Sequence, residues 1–281
     1  MIRCAVALGL ALALLAGCNQ KEPAQPSAQP GKVVVTPAYE RYFGAAPPYD
    51  KGTAYAFVIY FPSSKEPGKV VPFPFYTFDQ KSIKKVALER LLSGMEVGSY
   101  RGELAPFPSG SRLIALGEEQ GTVSADFSKE LETAPKSVAT ALALTLRQFQ
   151  GVTAVRLLVE GKESALNPVV QKADETAVRQ SPPRLLSVTA MRDKGAKDVE
   201  EVNAYFDRPV QVKELSLLSE SGEQFPGEIY HSVFDMAVVL KPKDPSQFKK
   251  DMPVRVRWKV ADKLGRPAEG DSVWPLEIRE H

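Results

Sequence analysis

The chain has 281 residues, with 36 Lys and Arg against 34 Asp and Glu, two cysteines and two histidines. This near-neutral balance argues against nucleic acid as a partner, since nucleic-acid binding normally requires a basic patch. So few His and Cys residues, spread along the chain, cannot complete a four-ligand zinc site. The sequence also lacks a glycine-rich phosphate loop and a nucleophile elbow. The length suits two modest domains, each with its own core.

Residues 1–17 predict a signal peptide. The segment carries the positive charge of Arg3, continues with the apolar stretch 6–15 and ends with two small residues before Cys18. The apolar stretch is too short to span a bilayer. Residues 14–18 resemble the lipobox of bacterial lipoproteins, which implies that the Cys18 thiol carries a diacylglycerol group and becomes the first residue of the mature chain.

Acyl chains on Cys18 would hold the protein at a membrane, because each buried methylene contributes about 0.8 kcal/mol. An ordinary secretory signal with a cysteine near the cleavage point is the alternative. Asn19 follows the cysteine, whereas an aspartate there typically retains lipoproteins at the inner membrane. In a cell with two membranes we therefore expect the outer membrane, with the protein facing the periplasm.

Residues 18–53 predict a tether. Its first part is rich in Pro, Gln and Ala, and a flexible chain of this length reaches roughly 30 Å. Its second part carries Tyr39, Tyr42, Phe43 and Tyr49. These aromatic residues could dock on the folded domain, dock on a partner or remain disordered, and the sequence leaves these alternatives open.

Residues 54–166 predict an α+β domain of order β-α-β-β-α-β, in which two helices cover one face of a single sheet. The first strand is a continuous aromatic and β-branched run, and both helices show apolar residues at helical spacing. The predicted strands cover residues 55–61, 113–116, 123–127 and 154–159, and the predicted helices begin at Asp79 and near Pro135 and end at Gly94 and Gly151.

Several segments of this domain resemble the GerMN domain. They are the first strand, the helix end 91–94, the loop 108–111, the hairpin leading to 121–128, and residues 146–149. The resemblance covers residues 54–166 and implies a fold akin to the ring-building domains of secretion-like machines. It also implies assembly or scaffolding within envelope complexes, without catalytic residues. GerMN domains occur in sporulation and germination lipoproteins and in other envelope lipoproteins.

Residues 167–183 contain turn and proline residues that are typical of an interdomain linker. Residues 184–281 predict an all-β sandwich, because short apolar runs alternate with turns. Segments 205–210 and 261–265, together with Trp274, resemble a bacterial Ig-like domain of the S-layer-associated type. The predicted strands cover residues 185–190, 199–206, 215–218, 224–230, 236–240, 254–260 and 273–278.

Two surfaces could recognise a partner. The first is a proline-rich loop before the first helix, whose aromatic side chains could form a protein interface or cover the domain's own core. It contains Phe73, Phe75, Tyr76 and Phe78. The second is a basic row on one face of the strand 254–260, which could face anionic lipid or cell-wall polymer or simply be solvated. It consists of Arg255, Arg257 and Lys259.

Catalysis by carboxylates is the remaining enzymatic alternative, since glycosidases need only two. Glu118 and Glu119 lie in a predicted hairpin turn, where neighbouring side chains point apart. Asp126 and Glu130 are better placed to bind local backbone N–H groups. We therefore predict a lipid-anchored envelope scaffold or protein-binding component with no catalytic residue, metal or cofactor.

The alternatives are a peptidoglycan- or polysaccharide-binding module and a carboxylate-dependent enzyme that modifies cell-wall glycan. The expected partners are the membrane, through the N-terminal lipid, and an envelope protein. Peptidoglycan and a second copy of the chain are further candidates.

Overall fold

The computed structural model describes residues 31–95 and 98–281. The predicted signal peptide, Cys18 and the first part of the predicted tether lie outside the described residues. Within the described ranges, no helix combines the length and the apolar character needed to cross a bilayer.

The N-terminal domain contains two sheets and four helices among the described residues, packed around one core. In the first sheet β1 is parallel to β2, and β2 is antiparallel to β3. In the second sheet the strand order is β4-β5-β6-β7, with β5 and β6 parallel. The strands are β1 Lys32–Val35, β2 Thr53–Pro62, β3 Val70–Thr77, β4 Leu113–Glu119, β5 Thr122–Phe127, β6 Ala154–Val159 and β7 Lys162–Glu163; the helices are α1 Pro37–Phe43, α2 Ile83–Ser93, α3 Lys136–Arg147 and α4 Asn167–Lys172.

Helix α3 is the centre of this domain. Every residue from Ser137 to Leu146 is buried, because the helix packs against β2 of the first sheet, β6 of the second sheet, and helices α2 and α4. The prediction of a single sheet with two helices on one face differs from this arrangement. A helix that is apolar nearly all round requires partners on several sides, and here it lies between two sheets.

The proline-rich loop predicted before the first helix is the strand β3. Pro72 pairs with Tyr60 and Pro74 pairs with Val58 in an antiparallel ladder with β2. Because β3 is an edge strand and its prolines are two residues apart, their missing N–H groups fall where no ladder hydrogen bond is needed. Proline thus marks a sheet edge here, where the sequence suggested a loop.

The aromatic half of the predicted tether is part of the folded domain. Thr36 caps α1 by accepting a hydrogen bond from Tyr39 N at 3.2 Å, and Pro37 occupies the first turn, where its lack of an N–H costs nothing. Tyr39, Tyr42 and Phe43 are buried in the core. Among the alternatives that the sequence left open, the structure shows docking on the chain's own domain.

Part of the predicted linker 167–183 also folds onto the N-terminal domain. Helix α4 begins at Asn167, whose side-chain amide exchanges two hydrogen bonds with the backbone of Leu157, at 2.8 and 3.0 Å. Arg147 donates to the carbonyl oxygens of Val170 and Ala173 at 2.6 and 2.8 Å. These contacts satisfy backbone groups at the strand β6 and at the end of α4.

The C-terminal domain is a two-layer β-sandwich with one shared core. Its five-stranded sheet has the order β11-β12-β9-β8-β15, and its three-stranded sheet has the order β10-β13-β14. The predicted last strand is divided at Leu276, so that β14 and β15 belong to different sheets. The strands are β8 Leu185–Arg192, β9 Glu201–Phe206, β10 Val210–Leu218, β11 Gly227–His231, β12 Ala237–Pro242, β13 Pro253–Asp262, β14 Pro267–Pro275 and β15 Glu277–Glu280.

Candidate functional site

The basic row on β13 is paired with carboxylates from both neighbouring strands. Arg255 binds Asp271 through two hydrogen bonds of 2.6 and 2.9 Å, and Arg257 reaches the same carboxylate at 3.1 Å. Lys259 lies 3.2 Å from Glu214 on β10. Arg255, more than Arg257, lowers the pKa of Asp271. Two carboxylates thus offset most of the charge of the three cations. The basic row therefore attracts an anionic surface only weakly.

The four aromatic residues predicted as one interface have different environments. Phe73 is buried and packs edge-on against Phe61 and Tyr100, with ring centroids 5.6 and 4.8 Å away. Phe75 is half-buried, 6.3 Å from the ring of Phe61. Phe78 is 61% exposed, which leaves it as the member most available to a partner.

Tyr76 belongs to an aromatic ladder that runs from the surface into the core and connects both domains. Its rungs are the ring contacts Phe78–Tyr49 at 5.2 Å, Tyr49–Phe234 at 5.4 Å, Phe234–Tyr76 at 4.0 Å and Tyr76–Tyr39 at 5.9 Å. The Tyr76 and Phe234 rings are almost parallel, at 8°. The hydroxyls of Tyr39 and Tyr76 share a 2.5 Å hydrogen bond, and burial raises the pKa of both tyrosines, that of Tyr39 to about 12.

Phe234 reaches this ladder from a strained turn of the C-terminal domain. Phe234 and Asp235 have φ of 65° and 53°, in the left-handed region that costs a non-glycine residue roughly 1–3 kcal/mol. The turn is held by an ion pair between Lys263 and Asp235 at 2.8 Å. The Lys263 backbone packs against Gly44 of the N-terminal domain. The strained turn thus places the Phe234 ring against Tyr49 and Tyr76 of that domain.

A buried charge cluster forms the second connection between the domains. Its centre is Asp207, which accepts hydrogen bonds from Tyr100 Oη at 2.9 Å, from Arg184 N at 3.0 Å and from Arg208 Nε and Nη2 at 3.0 Å each. Tyr100 comes from the N-terminal domain, and burial together with the charge of Asp207 raises its pKa to about 12. We call Tyr100, Asp207, Arg208, Asp262 and Arg266 the charge cluster.

Arg208 is nearly fully buried and has several partners. Its guanidinium donates to the Ser181 carbonyl oxygen at 2.8 Å, lies 3.8 Å from Asp262 and covers the Phe43 ring at 5.6 Å. Burial alone would lower the pKa of Arg208, but the charge and hydrogen bonds of Asp207, together with Tyr100 and the charge of Asp262, outweigh burial and raise the pKa. Arg208 therefore remains charged inside the protein.

Arg266 extends the cluster to the N-terminal domain a second time. It binds Asp262 at 2.5 Å and donates to the Tyr42 carbonyl oxygen at 2.7 Å and to Gln180 Oε1 at 2.8 Å. Asp262 also accepts from the backbone N–H groups of Leu264 and Arg266, at 3.0 and 2.9 Å. All of these buried polar groups are thus hydrogen-bonded, as a stable buried network requires.

The domains also approach closely at the backbone. Gly98 lies against Leu186 of β8, so near that a Cβ at this position would overlap the Leu186 carbonyl oxygen. Gly98 also has a φ of +50°, which favours glycine. The side chain of Leu186 packs against the core of the N-terminal domain.

A cleft of about 710 Å³ lies between β1, the start of α2 and the end of α3. Its lining contains no Asp, Glu or His among the described residues. At the base of the cleft, the Gln148 side chain accepts a hydrogen bond from Val58 N at 2.8 Å and donates one to Val58 O at 2.5 Å. It therefore pairs with the β2 backbone just beyond the point where the pairing of β1 with β2 ends. Its polar groups thus support the sheet and offer no acid–base pair.

Two of the carboxylates considered for catalysis, Glu118 and Asp126, have separate partners. Glu118 pairs with Lys84 at 2.6 Å. Asp126 accepts a hydrogen bond from Gly161 N at 3.0 Å. The Glu130 side chain lies close to Gly110, and hydrogen bonding to Ser128 lowers its pKa. Asp126 thus binds a backbone N–H group, as the sequence suggested, but one that is 35 residues away.

The structure brings His281, near the end of the chain, to two exposed carboxylates. Its Nε2 lies 3.3 Å from Asp193 Oδ1 and 3.2 Å from Glu200 Oε2. Sequence reasoning missed the charge cluster as a site. The sequence feature that could have indicated this cluster is the run Asp207-Arg208-Pro209, which directly follows the buried strand β9. Charged residues at the end of a buried strand are almost never buried themselves unless they are paired inside the protein.

Comparisons with known proteins identify the N-terminal domain. Residues 58–165 match the family model described as "Germane: Sporulation and spore germination", which covers less than half of the chain. This match confirms the GerMN segment inferred from the sequence. A search of curated proteins gives no match.

Solved structures with similarity include two from the sporulation protein GerM of Bacillus subtilis. Its first GerMN domain is 24% identical, with 38% of this chain and 83% of that chain covered, at a TM-score of 0.31. Its tandem GerMN domains are 15% identical, with 70% and 64% covered, at a TM-score of 0.33. PcoC, a methionine-rich copper resistance protein of Escherichia coli, is 14% identical, with 34% and 100% covered, at a TM-score of 0.24.

Proposed function

We propose that this chain, whose residues 58–165 are a GerMN-related segment, is a non-enzymatic envelope scaffold anchored by lipid on Cys18. In a cell with two membranes it faces the periplasm from the outer membrane. The description of the matched family supports a link to sporulation or germination. The scaffold role is supported by the way in which the two domains are joined.

The joint between the domains is the observation that carries this proposal. Domains within one chain usually move relative to each other unless their interface is extensive. Here the charge cluster buries hydrogen-bonded charges between them, and the aromatic ladder adds a stacked contact 4.0 Å between ring centroids. A protein that holds partners at a fixed spacing needs such a connection.

Strand β4 is the surface best suited to a protein partner. It is an edge of the four-stranded sheet, and Ile114 on it is 53% exposed. Unpaired edges are templates for another strand, and proteins usually block them with charges. The charges of β4, Glu118 and Glu119, stand at its end, which leaves residues 113–117 open for an envelope protein or a second copy of the chain.

An enzymatic role is disfavoured by the lining of the cleft and by the separate partners of Glu118 and Asp126. Incubation of the full mature chain with peptidoglycan sacculi tests both alternatives. We expect neither retention on the sacculi nor release of muropeptides. Release would support the glycan-modifying enzyme, and retention without release would support the binding module.

In-cell photo-crosslinking tests the scaffold. A photoreactive residue in place of Ile114 should capture one dominant envelope protein, or the chain itself. The matched control is Lys172, an exposed residue at the end of α4, on the side of the sheet away from β4. Equal and diffuse products at both positions would contradict the proposal.

The lipid anchor has its own test. Cys18→Ser should move the protein from the membrane fraction to the soluble fraction, because the acyl chains contribute the membrane affinity. Mass spectrometry of the mature N-terminus checks for the diacylglycerol group. An unmodified Cys18 would overturn the anchored scaffold.

A further inference from the structure

We propose that the exposed end of the aromatic ladder, with Phe78 at its tip, contacts the bilayer that carries the lipid anchor. This inference rests on the proposed function, because it takes Cys18 to be lipidated. The surface is defined by Pro48, Tyr49, Phe78, Val233 and Leu264, and we call it the membrane-contact surface.

The described chain begins beside this surface. Gly31 packs against the backbone of Tyr49 so closely that a Cβ would overlap the Tyr49 carbonyl oxygen, and Lys32 N donates to Gly52 O at 2.8 Å. The Tyr49 ring lies 5.2 Å from Phe78 and 5.4 Å from Phe234. The segment that leads from Cys18 therefore joins the fold at the ladder.

The distance to the anchor is short. Thirteen positions separate Cys18 from Gly31, and a chain of this length spans at most about 45 Å. A compact protein of some 250 residues has a radius of gyration of about 18 Å, so its far side lies roughly as far from Gly31 as this segment can reach. The side at which the segment enters the fold is therefore the side held next to the bilayer.

This side of the protein exposes apolar side chains from both domains. Phe78 is 61% exposed, Val233 is 63% exposed and Leu264 is 44% exposed. Val233 precedes Phe234 in the strained turn, and Leu264 follows Lys263, which pairs with Asp235 in the same turn. Aromatic and aliphatic side chains of this kind partition into the interfacial region of a bilayer.

The charges next to these side chains do not select an anionic surface. Lys51 and Lys81 are accompanied by Asp50 and Asp79, and all four are exposed. Mixed charges at the rim suit the headgroup region, where polar groups stay hydrated while apolar side chains enter. The anchor supplies the affinity, and the membrane-contact surface fixes the orientation.

The test uses the lipidated full chain in vesicles of phosphatidylethanolamine and phosphatidylglycerol. Cys4 leaves with the signal peptide and the Cys18 thiol is acylated, so Pro48→Cys introduces a single reactive thiol for an environment-sensitive fluorophore. Pro48 is exposed next to Tyr49. Nitroxide lipids should quench this fluorophore strongly.

Val273→Cys is the matched control. Val273 is 60% exposed and belongs to the same β13–β14 hairpin as Leu264, but it lies roughly 20 Å along β14 from the hairpin turn. Its fluorophore should remain unquenched. Phe78→Ser in the Pro48→Cys chain should lower the ratio of contacting to free protein about tenfold, the effect of one lost apolar anchor.

Equal quenching at both positions, or none at Pro48→Cys while the protein remains on the vesicles, would overturn the membrane contact and leave the anchor standing. A chain that carries no lipid and does not sediment with vesicles would instead overturn the proposed function. In cells, a dominant protein crosslink from position 78 would overturn the membrane contact as well, since a protein would then cover Phe78.

Discussion

The aromatic ladder and the charge cluster join the same two domains by different physical means. The ladder is a stack of rings, open to solvent at Phe78 and closed at Tyr39. The charge cluster is buried except at Arg266, which is half-buried, and Asp207 alone accepts four hydrogen bonds. Apolar contact is tolerant of small displacements, whereas a buried ionic network is costly when any member is missing.

This difference suggests a division of roles. Stacked rings stabilise the joint in proportion to the area they bury. The charge cluster contributes less net free energy but fixes one arrangement, since a shifted interface would leave Asp207 and Arg208 buried without partners. Substitutions within each of the two connections separate these roles.

Asp207→Asn should lower the free energy of unfolding by about 3–5 kcal/mol, because it leaves the buried Arg208 without its main counter-ion. Asp271→Asn is the matched control, since Asp271 also binds two arginines but at the surface. It should cost far less, because solvent screens an ion pair at the surface. Denaturant unfolding measures both, and equal losses would contradict the distinction.

Gly98→Ala should separate the domains locally, because the new methyl group overlaps the Leu186 carbonyl oxygen. We expect a loss of about 2–4 kcal/mol, from the overlap and the positive φ together. Gly222→Ala has the same type of backbone, with φ of +87°, but open space around it. It should show only the backbone cost of about 1 kcal/mol. Hydrogen exchange at Leu186 should rise in the first variant alone.

Phe234→Ala should lose the ring contact with Tyr76 and keep the strained backbone, at a cost of about 2 kcal/mol. Phe234→Gly loses the same ring but relaxes the left-handed strain, so it should be about 1 kcal/mol more stable than the alanine variant. Thermal unfolding of the two variants makes the comparison. A glycine variant less stable than alanine would show that the turn is not strained.

Tyr100 makes the charge cluster sensitive to alkaline pH. Its pKa is raised in the folded protein to about 12 from an ordinary value of 10.0, so folding favours the protonated phenol. Its contribution is complete below pH 10 and is lost as the pH rises towards 12, by about 2 kcal/mol in all. Tyr100→Phe should be less stable than the wild-type chain at neutral pH, and its stability should fall less over this range. Parallel curves would contradict this linkage.

The sequence was sufficient where local pattern and burial agree. The apolar run of β2 predicted that strand close to its observed bounds. The helical spacing predicted the start of α3, but the helix ends at Arg147, four residues before the predicted Gly151.

Sequence reasoning failed at β3, because Pro72 and Pro74 are compatible with a loop as well as with an edge strand. The sequence also did not predict α1. Whether Tyr39 and Phe43 are buried depends on contacts with distant parts of the chain, which the local sequence does not show.

The joint was beyond prediction for a similar reason. Tyr100 and Asp207 are 107 residues apart, and Arg266 and Tyr42 are 224 residues apart. The sequence around each of these residues is compatible with an exposed polar side chain. Nothing in it indicates the distant group to which the side chain is hydrogen-bonded. For the basic row of β13, the alternation of basic and apolar residues was evident in the sequence. Its acidic partners were not, because they lie on the neighbouring strands β10 and β14.

The short strand β1 determines how the fold would respond to a mechanical load. A pull on the N-terminal end arrives at Lys32, where four residues pair with β2 on one side only. Peeling β1 exposes half-buried valines, but the next step must extract the fully buried rings of Tyr39 and Phe43. Under load, β1 should therefore detach at low force, whereas α1 and the rest of the domain should unfold only at a higher force.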